Sequence, residues 1–223
     1  MHKVQGLIED KVRIALVGVG GTGGHVLNGL ARGSYGLNRV GHPGIHVTAY
    51  DPDYVANTNI GRQIFTEYDI GSNKAQIAVD RLNTSLKTTW KAYPTKAPSS
   101  FHSIDILICC VDTKKSRKEL SKSHLKENAY IIDCGNSKDT GQVILGQHKA
   151  ELPNPYEEFK ELTKGKEDPT PPCADPYQHQ DMFINQLVAT YALDIVWRLL
   201  RRESITQRGC FTSLSGVTQP IEC

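Results

Sequence analysis

At 223 residues with 39% hydrophobic side chains, the chain can bury a sizeable core and reads as one domain, 1–223. Its formal net charge of +2 argues against nucleic acid or a membrane surface as a partner. The longest apolar run, Ile104 to Val111, is far short of the roughly 20 residues of a spanning helix, and Met1-His2-Lys3-Val4-Gln5 lacks a signal-peptide core, so a cytoplasmic location is expected.

Arg13-Ile14-Ala15-Leu16-Val17-Gly18 reads as a buried parallel strand that runs without a gap into Gly18-Val19-Gly20-Gly21-Thr22-Gly23. These glycines let the backbone turn tightly and approach a phosphate, whose charge meets the N-terminus of a helix predicted over about Thr22 to Arg32. Alone, the fingerprint marks a nucleotide and no more, since dehydrogenases, flavoproteins and adenylating enzymes share it. A glycine-rich segment, Gly33 to Gly44, delays the second strand, Ile45 to Tyr50, whose end delivers Asp51. An acid there is placed to accept hydrogen bonds from ribose hydroxyls, although it lies further from Gly23 than the usual ~20 residues. The competing reading of Asp51 is a cap or turn, and Asp53 divides between site and turn.

After Lys74 the apolar positions Ala75, Ala78, Val79, Leu82 and Leu86 repeat at helical spacing, which puts Lys74 in a first helical turn. A cation there opposes the helix dipole by about 0.3–1 kcal/mol, and a bound phosphate reverses the penalty. Thr88 to Tyr93 and Ile104 to Val111 are the third and fourth strands, with Cys109 and Cys110 read as core. Asp112 follows at the carboxyl edge, where open α/β sheets bind ligands. A helix is expected over Lys114 to Lys126, its cations, Arg117 among them, forming a solvated face or receiving an acidic partner.

Ala129 to Cys134 and Gln142 to Gln147 read as further strands, and the proline-rich stretch Glu151 to Pro176 as a long crossing loop. Gln180 to Arg202 returns to helical periodicity, and Gly209 to Ile221 reads as a terminal β-hairpin. The expected fold is α/β, a Rossmann-like, mostly parallel sheet flanked by helices, with a nucleotide-binding part at about 12–134 and a crossover loop, long helix and hairpin at about 150–223. Six cysteines, at 109, 110, 134, 173, 210 and 223, form no C-x-x-C pair, so reduced thiols and no structural zinc are expected.

In order and approximate spacing, Gly18-x-Gly20-Gly21-x-Gly23, Asp51-x-Asp53-x-Val55, Asn59-x-x-Arg62-Gln63, Gly71-x-x-Lys74 and Val111-Asp112 resemble the ubiquitin-activating-enzyme-like superfamily typified by ThiF and MoeB. The match covers roughly Val12 to Asp133, and Asn-x-x-Arg-Gln is far more specific than the glycine loop. The short form without zinc cysteines is most similar to the ThiF-related members of the plasmid-associated PRTRC gene system. The resemblance implies ATP-dependent adenylation of the C-terminal carboxylate of a small ubiquitin-like protein ending in glycine, by a homodimer. It places Gly20 and Gly21 at the phosphates within the loop Gly18 to Gly23, Asp51 at the ribose, Arg62 and Lys74 at the triphosphate, and Asp112 at magnesium. Asp53, Asn59 and Gln63 complete the implied nucleotide site. Pro172-Cys173 before an apolar helix resembles the family's cysteine-bearing crossover, which makes Cys173 the implied acceptor thiol; the alternative is that it packs under its loop.

Three further departures from the family pattern accompany the missing zinc cysteines. Gly24 stands where serine is frequent, the Gly33 to Gly44 link is long, and no arginine precedes Arg13 to reach a partner's site, leaving Lys3 or Lys11 as substitutes. Two other functions compete. An NAD(P)-dependent oxidoreductase uses the same loop and Asp51 but leaves Asn59, Arg62 and Lys74 unexplained. A non-catalytic nucleotide-binding scaffold is opposed by the joint presence of Arg62, Lys74 and Asp112.

Overall fold

The computed structural model describes residues 1–4, 6–165 and 180–223. In chain order its main elements are β1 (Val12–Val17), α1 (Gly21–Arg39), β2 (Ile45–Tyr50), α2 (Lys74–Leu86), β3 (Lys91–Tyr93), β4 (Ile106–Cys109) and α3 (Lys114–Leu120). Then come β5 (Tyr130–Asn136), β6 (Thr140–Gln147), the short α4 (Pro155–Glu158), α5 (Ile184–Leu199), β7 (Gln207–Ser213) and β8 (Thr218–Glu222). The strands form one eight-stranded sheet in the order β8-β7-β6-β5-β4-β1-β2-β3. From β3 to β5 every pairing is parallel, and from β5 to β8 every pairing is antiparallel. β5 is therefore the seam of a mixed α/β, Rossmann-like fold.

Side-chain alternation along the strands builds a core on each face of the sheet. Ile14 and Leu16 of β1 join a cluster with Val26 and Leu27 of α1, Ala78 and Val79 of α2, and Ile195 and Val196 of α5. Ala15 and Val17 turn the other way, towards Leu107, Ile131, Leu120 of α3 and Tyr156 of α4. Both faces are covered, as the continuous apolar run of β4 requires.

The glycine-rich link is shorter than the sequence suggests, because α1 continues through Gly33 and Gly36 to Arg39. Within that stretch a Cβ on Gly33 would meet nothing within 4 Å and one on Gly36 would make ordinary contact with Trp197 at 3.5 Å, whereas earlier in α1 a Cβ on Gly29 would overlap Leu193 of α5. Gly29 thus serves close approach between α1 and α5, and the turning is left to Gly41 and Gly44, with φ of 86° and 88°. Gly24 has a similar cause, since any Cβ there would stand 2.8 Å from Ile64.

The helix expected over 114–126 stops at Leu120. Beyond it His124–Leu125 pairs in parallel with Ser100–Phe101. The stretch read as a crossing loop contains α4 and a 3-10 turn, Lys160–Leu162, before the described chain breaks off. The terminal hairpin β7–β8 extends the main sheet by pairing with β6.

Candidate active site

The carboxyl edge of the parallel strands opens on a cavity of about 590 Å³. At its floor β1 passes into α1 through a turn that side chains would block. Gly18 has φ 89° and would place a Cβ 2.6 Å from the Cys110 carbonyl oxygen, while a Cβ on Gly23 would overlap the Gly18 carbonyl. Helix α1 begins after Gly20 with no side-chain cap and no acid in its first turn. Its free N–H groups and partial positive charge are left for an anion.

Asp51 is buried at the end of β2 and ties this turn down. Its Oδ2 accepts the Val19 N–H at 2.6 Å and its Oδ1 accepts the Asp53 N–H at 2.8 Å. Burial raises the carboxyl above its ordinary range, against the two N–H bonds and Lys74, which favour the anion. Asn73 then joins this strand end to α2. Its Nδ2 donates to the carbonyls of Asp51 and Asp53 at 2.8 and 3.0 Å, and its Oδ1 caps the helix through Gln76 N–H at 3.0 Å. Lys74 therefore enters the first turn as its sequence position predicts, buried at 8% exposure. Its Nζ lies 3.5 Å from Asp53 Oδ2, on a carboxylate 67% exposed. So loose and solvated a pairing is weak and leaves the ammonium charge available to a ligand.

Arg62 and Gln63 stand on the loop between β2 and α2. Asn59 shapes that loop: its Oδ1 accepts the Ala56 N–H and its carbonyl accepts the Gln63 N–H, both at 2.9 Å. Arg62 Nη1 donates to Gln180 Oε1 at 2.9 Å, while Arg62 Nε and Gln63 Oε1 are buried without a protein partner. Orphaned polar atoms beside a glycine cradle fit a bound polar ligand.

Asp112 is exposed on the opposite lip, just beyond β4. Arg117 is not on the solvated face its sequence run suggests. It is buried at 7% exposure, with Nε 3.1 Å from Asp133 Oδ2 and Nη2 donating to the Cys134 carbonyl at 3.0 Å. Burial works against both charges. Asp133 nevertheless raises Arg117 above its usual range, while burial draws the Asp133 carboxyl upward against the guanidinium, which favours its anion. Behind this pair burial pushes the Cys109 thiol up to about 12, consistent with a core role.

Gly18, Gly20, Gly21, Asp51, Asp53, Arg62, Gln63, Lys74 and Asp112 all line the one cavity. Gly23 and Asn59 do not; they set the backbone one step behind it. Cys173 lies outside the described residues, and neither Lys3 nor Lys11 lines the cavity of its own chain. Sequence reasoning missed Thr22, Asn136, Gln180 and Asn185, which also line it. Asn185 accepts from Thr22 Oγ1 at 3.0 Å and sits against Gly21, where a Cβ would be 2.6 Å from its side chain. One signal was present: Asn185 lies on the same face of α5 as Val188, Ala189 and Ala192, a polar residue inside an apolar stripe. No three acidic, histidine or cysteine side chains cluster as a metal site among the described residues, and no helix among them is long and apolar enough to cross a membrane.

The profile of the ThiF family matches residues 5–219. The adenylyltransferase and sulfurtransferase uba4 of Neosartorya fischeri is 26% identical over 137 residues, which is 60% of this chain and 25% of that protein. Two solved structures share the fold. PaaA superposes with a TM-score of 0.66 at 16% identity, covering 95% of this chain and 64% of PaaA. E. coli MccB crystallised with ATP gives 0.60 at 17% identity over 95% and 63%. The chain thus spans a quarter of uba4 and less than two thirds of PaaA or MccB.

Proposed function

The chain belongs to the ThiF family, and on that premise we propose that it adenylates the C-terminal carboxylate of a small ubiquitin-like protein with ATP, releasing pyrophosphate. The observation that carries this reading is the convergence of Arg62, Lys74 and the uncapped N-terminus of α1 on one cavity that also holds Asp51. Cations can bind the phosphates of NAD(P) as well, but hydride transfer itself does not require them. A carboxylate attacking the α-phosphorus needs them, because nucleophile and phosphate repel each other and negative charge gathers on the departing pyrophosphate.

In this reading α1 and Gly20–Gly21 hold phosphate oxygens through N–H groups, while Asp51, its oxygens already oriented by Val19 and Asp53, receives ribose hydroxyls. Lys74 and Arg62 offset the charge that develops as the α–β phosphoanhydride bond breaks. No general base is required, since the attacking carboxylate is ionised at neutral pH. The products are an acyl adenylate and pyrophosphate. Asp112 would hold magnesium, as one carboxylate at the cavity lip suits an ion that takes its other ligands from phosphate and water. A homodimer and a glycine-ended partner tail complete the proposal, and Cys173 is its proposed acceptor thiol. These features rest on family resemblance.

The test is ATP–pyrophosphate exchange with magnesium and a ubiquitin-fold protein ending in glycine, beside titrations of ATP and NAD. Exchange that depends on the glycine tail, with ATP bound in preference to NAD, is expected. Tight ATP binding with no exchange would leave a nucleotide-binding scaffold, and preference for NAD would overturn the reading.

A further inference from the structure

Arg62 rides on a loop, yet the chemistry proposed for it requires a guanidinium fixed in one place as pyrophosphate separates. Its own loop does not supply that restraint, because Nε has no protein partner. The restraint comes from Gln180, 118 positions further along the chain, whose Oε1 takes the Nη1 hydrogen bond at 2.9 Å. That same oxygen accepts from Asn185 Nδ2 at 2.9 Å, so its two lone pairs are both engaged. Asn185 Oδ1 in turn receives Thr22 Oγ1 at 3.0 Å and Asn136 Nδ2 at 3.4 Å. The backbone beside Gln180 is pinned where the Asp181 N–H donates to the Lys138 carbonyl at 2.8 Å. A continuous chain of hydrogen bonds between uncharged amides and a hydroxyl thus runs from the first turn of α1 to Arg62. It connects the two positive features of the phosphate wall.

We propose that Gln180 is a positioning residue for Arg62, which orients the guanidinium without neutralising it; the inference rests on the adenylation reading. Amide chemistry suits this task. A carboxylate at the same place would pair with Arg62 and consume the charge intended for phosphate, and an aliphatic side chain would orient nothing. The bond from Asn185 also fixes which end of the amide faces Arg62, since a flipped Gln180 would set its NH2 against two donors.

The test compares Q180A, Q180E, R62A and R62A/Q180A in the full chain, by pyrophosphate exchange with the glycine-ended protein and by NMR of the Arg62 Nε–H group. Q180A should lower the maximal exchange rate roughly tenfold, the scale of one lost hydrogen bond to a charged group, and change the KM for ATP less than about threefold. Q180E should instead raise that KM, because its carboxylate competes with phosphate. In the R62A background Q180A should cost nothing further. Without nucleotide, the Arg62 Nε–H order parameter should fall below about 0.6 in Q180A. An additional loss in R62A/Q180A, or an unchanged order parameter, overturns the proposal and leaves Gln180 as packing. Should the native chain show no exchange, the adenylation reading fails and the NMR comparison alone decides the role of Gln180.

Discussion

The parallel and antiparallel halves of the sheet meet at one cavity and equip it differently. The charged groups that line it, Asp51, Asp53, Arg62, Lys74, Lys96, Asp112, Arg117 and Glu119, come from the parallel half and its crossovers. From β5 onward the described lining groups are Cys134, Asn136, Gln180 and Asn185, all uncharged. Topology accounts for part of this division. Crossovers return each parallel strand to the same edge, so loop after loop delivers side chains to one mouth, whereas hairpins join neighbouring antiparallel strands directly. Electrostatics accounts for the rest. In the proposed reaction the cations must keep their charge unspent: a neutral amide holds Arg62 without cancelling it, whereas Arg117 is already paired with Asp133 of β5.

The seam strand β5 is where the comparison can be broken most severely. Asp133 is wholly buried there, and Asp133→Ala would strand the Arg117 charge inside the protein. A loss of about 3–5 kcal/mol in urea unfolding is expected, much reduced when Arg117→Met accompanies it. Equal losses in the single and double variants would show that the ion pair does not hold the halves together. Next in size, Lys74→Ala should slow pyrophosphate exchange by roughly 10²-fold with the fold intact, whereas Asn136→Ala, its uncharged counterpart across the cavity, should cost less than about tenfold. Similar losses from both would dissolve the division of labour.

A smaller effect tests the loop that presents Arg62 and leads to Lys74. Burial raises Asp69, but the Thr66 N–H and the two-oxygen contact with Arg81, each bond 2.7 Å, outweigh it and bring the carboxyl below its ordinary value. Such a group adds stability above the unfolded carboxyl value of about 3.8, and the contribution is lost as pH falls through the lower folded value. Asp69→Asn should therefore cost about 1–3 kcal/mol near neutrality and almost nothing at the acid end, read from unfolding midpoints against pH. The smallest effect is a gain. A Cβ on Gly33 would meet nothing within 4 Å, so Gly33→Ala should raise stability by about 0.5–1 kcal/mol in thermal unfolding.

Much of the parallel half was legible because its signals are local. A strand, a glycine turn and a helix lie end to end, and Lys74 heads an apolar stripe that Asn73 caps. What stayed hidden depends on partners far along the chain. Gly36 reads as part of a loose link until α1 is seen to run through it beside Trp197, and Arg117 reads as one more surface cation until β5 brings Asp133 beneath it. Gln180 was invisible for the same reason, and Asn185 showed only as a polar residue in an apolar stripe. Their task is defined by Arg62 and Thr22, and a neutral amide carries no motif of its own.

The contact between α1 and α5 also bears on how the protein is made. Gly29 lets α5, far along the chain, close on α1, so the part of the apolar face of α1 that does not pack on β1 and α2 has no cover until α5 has been synthesised. At roughly 5–20 residues per second, the wait between the two helices is about ten to thirty seconds, very long beside the microseconds in which a helix forms. During that interval the nascent chain exposes apolar surface on α1, and the glycine turn at its head lacks the Asn185 side chain that α5 brings to Thr22 and Gly21.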